Sequence, residues 1–149
     1  MITLHQAKRQ DLEKIKTFYR HCGYSGGLKP EDWILMAGSN SQLVGVVRLC
    51  LEQNVLVLRG MQVLQVFQRQ GIGKQLLQAC TEQLENRTCY CIPWTHLRSF
   101  YRQGGFAEVS ATEAPDFLQE RFEGYLERGM KVSIMRRLPS TQNSERIVL

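Results

Sequence analysis

The sequence predicts an α/β (α+β) fold in a single domain over residues 1–138, and three observations carry that prediction. Between residues 33 and 66, apolar and partly β-branched runs alternate with short polar turns, the pattern of strands joined as hairpins. On either side of them apolar residues recur at helical spacing: Leu12, Ile15, Phe18 and Tyr19 before, and Ile72, Leu76, Leu77, Cys80 and Leu84 after. A chain of 149 residues with 43% apolar side chains is long enough to bury one core.

Each element follows from its local residues. Residues 2–7 alternate apolar and polar side chains as a half-buried strand does, and Asp11 stands where a helix N-cap would precede the Leu12 to Tyr19 stripe. Gly23, Gly26, Gly27 and Pro30 break that period, so 21–31 reads as a loop. The runs 33–37 and 43–51 form a hairpin across a Gly-Ser-Asn-Ser-Gln turn. After Glu52-Gln53-Asn54 turns the chain again, 55–66 is a third strand, with Gly60 expected as a bulge or a close backbone approach. A buried helix starts just after Gly71 and runs to about residue 86. Residues 88–92 are a short strand stopped by Pro93, and 95–103 a helix ended by Gly104-Gly105. Pro115 and Asp116 open a helix over 117–128, Gly129 closes it, and 131–138 is the last strand. Residues 139–149 read as a polar tail.

Composition removes several function classes. The net charge of +5 suits an anionic ligand, but the basic residues are scattered and form no dense stripe, and no nucleic-acid-binding signature is present. We therefore expect no nucleic-acid partner. The five cysteines, Cys22, Cys50, Cys80, Cys89 and Cys91, are an odd set with one C-Y-C pair, which fits neither a disulfide framework nor a zinc site, so they read as small apolar side chains and no metal is expected. No run reaches the roughly 18 to 20 apolar residues of a membrane span, and the start lacks the basic-then-apolar order of a secretory signal. The expectation is a cytoplasmic protein with no membrane partner.

The chemistry is concentrated in residues 58–74, LRGMQVLQVFQRQGIGK. There a strand enters a glycine-marked turn that opens a helix. The first N–H groups of such a helix have no partner within it and point outward, which makes a seat for phosphate oxygens. Gly71 and Gly73 let backbone and ligand approach, and Arg69 and Lys74 add charge. Two better-known phosphate loops fail here. A Walker loop needs glycine where Gln68 stands and Ser or Thr where Gln75 stands; a dinucleotide fingerprint needs a third glycine where Leu76 stands.

The segment Gln68-Arg69-Gln70-Gly71-Ile72-Gly73 resembles the acetyl-CoA loop of the GNAT family of N-acetyltransferases, Gln/Arg-x-x-Gly-x-Gly/Ala, at every position. Val63 matches the valine ending that family's approach strand, and Phe100-Tyr101-Arg102-Gln103-Gly104-Gly105-Phe106 resembles its second signature, aromatic-Tyr-x-x-x-Gly-Phe. The likeness in element order extends over residues 2–138. It implies a GNAT-like mixed, mostly antiparallel central sheet flanked by helices on both faces, and an N-acetyltransferase moving an acetyl group from acetyl-CoA, as cosubstrate, to a primary amine. By the same resemblance Gln68 to Lys74 hold the pyrophosphate, the backbone of Met61, Gln62 and Val63 holds the pantetheine arm and polarises the thioester carbonyl, and Tyr101 is the general acid.

Two positions depart from the family. Relatives often carry a carboxylate base on the strand before the loop, yet 55–66 has none, leaving Glu52, Asp32, His96 or a water chain open, with His96 read as an exposed helix residue. The family's pantetheine-binding Asn is replaced by Trp94, expected in the core. The acceptor is read as a small-molecule amine; the alternatives are a peptide or protein N-terminus, to whose acetyltransferases the loop is also similar, and a non-catalytic acyl-CoA-binding module. A homodimer could form through a strand edge after Gly105 or in 131–138.

Overall fold

The computed structural model describes residues 1–139; the expected polar tail, but for Pro139, lies outside the described residues. The chain forms two compact units that divide at residue 80, within one helix.

The first unit is an antiparallel meander. Its strands are β1 (Ile2–Gln6), β2 (Trp33–Ser39), β3 (Gln42–Glu52) and β4 (Val55–Val63), paired in that order. Asn40 and Ser41 turn the first hairpin and Gln53 and Asn54 the second, all four with positive φ, which is the backbone a tight hairpin with right-handed strand twist requires. Helix α1 (Leu12–His21) packs Ile15, Phe18 and Tyr19 against Ile34 and Val46. Burying side chains of this size contributes about 1.5–3 kcal/mol each. The other sheet face meets helix α2 (Ile72–Leu84), whose Ile72, Leu76 and Leu77 are buried.

Gly45 is what permits that second contact. A Cβ there would lie 3.1 Å from Leu76 Cδ1 and 3.4 Å from both Ile72 Cγ2 and Ala37 Cβ. Gly45→Val is accordingly expected to cost about 1–3 kcal/mol by overpacking. Urea titration checks this: the midpoint should fall with an unchanged m-value.

In the second unit β5 (Cys89–Cys91), β7 (Met135–Arg137) and β6 (Ala107–Glu108) pair antiparallel, with β7 between the other two. Helices α3 (Arg98–Arg102) and α4 (Asp116–Glu127) complete it around Phe106, Leu118, Ile134 and Met135. Gly129, with φ of 81°, ends α4 at the expected place.

Several expectations change. The first helix is entered through a 3-10 turn, Arg9–Asp11, and Asp11 does not cap α1; its carboxylate reaches back to accept the Lys8 amide at 2.8 Å. The third strand stops at Val63, because Gln65–Phe67 winds into another 3-10 turn. The strand expected over 131–138 shortens to three residues that are flanked on both sides, so it offers no free edge to a second copy. Strand β6 has no apolar alternation to announce it; its two exposed residues are extended because β7 pairs with them. No helix among the described residues is long and apolar enough to cross a membrane.

Candidate coenzyme-binding segment

Strand β4 approaches the loop through a bulge. Arg48 faces Arg59 and Val46 faces Gln62, so Gly60 and Met61 together oppose Val47 alone. Gly60 takes φ of 65°, and a Cβ on it would lie 2.4 Å from the Tyr19 hydroxyl. Both readings of Gly60 from the sequence, bulge and close approach, therefore hold. Met61, Gln62 and Val63 follow, half-buried.

The chain then leaves the sheet and turns into α2. Gln68 ties the turn to the strand, its Nε2 donating to the Val63 carbonyl at 3.0 Å, and Gln70 Nε2 donates to the Val66 carbonyl at 3.3 Å. Arg69 and Gly71 sit at φ of 64° and 82°. The Gln75 amide donates to the Gly71 carbonyl at 3.0 Å as the helix's first bond. The amides of Ile72, Gly73 and Lys74 come before that bond and have no acceptor within the helix. Gln68, Arg69, Gln70, Gly71 and Lys74 are exposed around them, and nothing lies within 4 Å of where a Gly71 Cβ would be. Outward amides, two flanking cations and an open approach over glycine are the donor set a pyrophosphate needs. Ile72 has its side chain in the core, 1% exposed, so only its backbone is available to a ligand.

Tyr101 lies in the second unit, 5% exposed, edge-on to Phe100 at 5.0 Å and to Phe106 at 6.1 Å between ring centres. Trp94 is not in the core. It is 46% exposed and lines an open groove of about 490 Å³ with Thr95, His96, Arg98, Gly129 and Lys131. The cause is backbone pairing: Trp94 bridges Val132, and the Thr95 amide bonds the Lys131 carbonyl at 2.9 Å, so the chain is anchored through its main chain and the indole faces out. His96 is exposed, as expected, but in a 3-10 turn.

The residues considered for the base divide. Asp32 is engaged twice at Oδ2, by Arg48 Nη1 at 2.9 Å and the Lys29 amide at 3.0 Å. Glu52 pairs with Arg59 at 3.7 Å. All five cysteines are free thiols; burial pushes Cys50 up to about 12 despite the opposing pull of Arg48, and raises Cys91 well above the usual range. Both therefore stay neutral. No group of three or more His, Cys, Asp or Glu positioned for a metal occurs among the described residues.

Sequence reading missed Arg48. It is fully buried, although the sequence shows it only as one of the scattered basic residues. The signal was present: an arginine within the run Val44-Gly45-Val46-Val47-Arg48-Leu49-Cys50, too apolar for a strand with a wet face, has to find its partners inside.

Residues 4–119 match the family model described as an acetyltransferase (GNAT) domain. No protein of curated function matches the sequence. Among solved structures, the fold is similar to N-acetylglutamate synthase from Neisseria gonorrhoeae, complexed with coenzyme A and N-acetyl-glutamate, at TM-score 0.67 and 17% identity over 92% of this chain. This chain covers only 35% of that one. It is also similar to the ribosomal-protein-S18-alanine N-acetyltransferase of Escherichia coli, at TM-score 0.63 and 18% identity over 93% of this chain and 94% of that one. A third is the PaiA N-acetyltransferase of Thermoplasma acidophilum in complex with coenzyme A, at TM-score 0.62 and 16% identity, covering 93% and 99%. At these identities the structural likeness establishes the fold: among the described residues seven strands, antiparallel in each pairing described, with flanking helices.

Proposed function

From the premise that the chain belongs to the GNAT acetyltransferase family, we propose that it transfers an acetyl group from acetyl-CoA to the primary amine of a small molecule, as a single-domain cytoplasmic enzyme. The observation that carries this reading is the bulged strand β4 leading through Gln68 into the glycine turn and the open N-terminus of α2. Two solved relatives of the same fold hold coenzyme A.

Acetyl-CoA supplies an activated acyl group as a thioester. The transfer needs a neutral amine, a polarised carbonyl and a proton for the departing thiolate. The amides of Ile72, Gly73 and Lys74, with the Arg69 and Lys74 side chains, bind the pyrophosphate. Backbone groups of Met61 to Val63, fixed by the bulge, orient the pantetheine arm and polarise the carbonyl without reorganising during reaction. The amine nitrogen bonds to the carbonyl carbon as the C–S bond breaks, Tyr101 gives its phenolic proton to the departing thiolate, and the proton that the acylated nitrogen releases to water restores the phenol; holding amine and thioester together supplies much of the remaining rate.

The end-to-end match to the ribosomal-protein-S18-alanine enzyme supports a second reading, a peptide N-terminus as acceptor. Calorimetric titration with acetyl-CoA and with coenzyme A tests the first step, with micromolar affinity expected and no binding to either overturning the proposal. Thiol release measured on glutamate, a diamine and a peptide beginning with alanine then separates the acceptors. Binding without turnover on any amine would favour an acyl-CoA-binding module.

A further inference from the structure

A buried charge cluster connects the loop between α1 and β2 to the bulge of β4. Arg48, 0% exposed, spreads its guanidinium over four oxygen partners and the Cys50 thiol. Nη1 donates to Asp32 Oδ2 at 2.9 Å and to the Gly27 carbonyl, Nη2 to the Tyr24 hydroxyl at 3.1 Å, and Nε to the Tyr19 hydroxyl at 3.3 Å. The Tyr19 hydroxyl donates in turn to the Gly60 carbonyl at 2.9 Å. Burial raises the Tyr19 phenol far above its usual range despite Arg48, so it keeps the proton it donates. Both rings lie near the cation, at 5.5 and 5.9 Å from centroid to guanidinium carbon.

One side chain thus holds an otherwise irregular loop at Tyr24, Gly27 and Asp32, and through one tyrosine holds the residue that makes the bulge. Hydrophobic side chains would stabilise a core as well as a buried ion pair does, or better. What a guanidinium adds is fixed geometry, since its donors point in set directions. With Asp32 against it, the Arg48 charge is already matched and is not the group that receives an anionic acceptor.

We propose that Arg48 is a positioning residue for acetyl transfer: it sets residues 24–32 as the wall against which the acceptor amine lies, at a fixed distance from the Met61 to Val63 backbone. This rests on the acetyl-CoA reading above. Occupancy of β4 by acetyl-CoA is then felt in the loop through Gly60, Tyr19 and Arg48.

The test is hydrogen exchange with and without saturating acetyl-CoA, on the wild type and on Gly26→Ala and Tyr24→Phe. A Cβ at Gly26 would lie 2.1 Å from the Tyr24 hydroxyl, so that ring must swing off Arg48; Tyr24→Phe removes the same hydrogen bond and keeps the ring that packs against the α1 core. In the wild type, acetyl-CoA is expected to slow exchange at 68–74 and, by about tenfold, at 24–32. In both variants the slowing at 68–74 persists and that at 24–32 is smaller than in the wild type, because one of the three holds of Arg48 on the loop is gone. On whichever panel amine turns over, kcat/KM for the amine falls by up to about 10²-fold from misplacement, with KM for acetyl-CoA unchanged. Slowing at 68–74 with none at 24–32 in the wild type, or equal slowing at 24–32 in variants and wild type, overturns the inference alone. No slowing at 68–74 in the wild type overturns the coenzyme reading, and the inference with it.

Discussion

Gly71→Glu is expected to weaken acetyl-CoA binding by at least about 10²-fold, because it sets a carboxylate beside the pyrophosphate where glycine leaves open space. The folded protein should survive the change. Gly71 is exposed, with nothing near its missing Cβ, so the new side chain meets no clash. Its φ of 82° costs a non-glycine residue about 1–2 kcal/mol, offset in part by the roughly 0.3–1 kcal/mol that a carboxylate gains at a helix N-terminus. Gly71→Gln carries the same bulk and backbone cost without the charge, so calorimetry on both variants separates repulsion from strain. Unchanged affinity in Gly71→Glu would remove the loop from the coenzyme site.

Tyr101→Phe is expected to lower turnover by about 10²-fold, the lower end of what a general acid contributes, while acetyl-CoA affinity stays as in the wild type. The substitution removes one oxygen and keeps the ring, so the edge-on contacts to Phe100 and Phe106 survive. Steady-state kinetics beside calorimetry reads this directly. A mutant as active as the wild type would make Tyr101 a packing residue of the Phe106 core and nothing more.

These two residues mark how far the sequence carries. The glycine turn was legible because its chemistry is local: a positive φ and an unpaired helix start are properties of a few consecutive residues, and glycine advertises them. The hairpins were legible for the same reason, since Asn40, Ser41, Gln53 and Asn54 form tight turns between apolar runs. Periodicity likewise placed α1 and α2, and Pro115, Asp116 and Gly129 bounded α4, though Asp11 shows that a cap-forming residue can serve the turn before the helix instead.

What the sequence did not determine depends on contacts far apart in the chain. The apolar run around Arg48 signals a buried charge, but not that Asp32, Tyr24 and Tyr19, which lie 16, 24 and 29 positions away, are what match it. Trp94 reads as a core aromatic until its backbone is seen anchored to the strand segment at Val132, which leaves the indole outside. Strand β6 exists only because β7 is there to bond it. Local backbone preference and hydrophobic period are written residue by residue, so the sequence alone set the order of elements and the glycine turn before α2. The partners of a buried charge, the exposure of an aromatic and the pairing of a short strand are fixed by desolvation and hydrogen bonding across the fold, which only the tertiary structure decides.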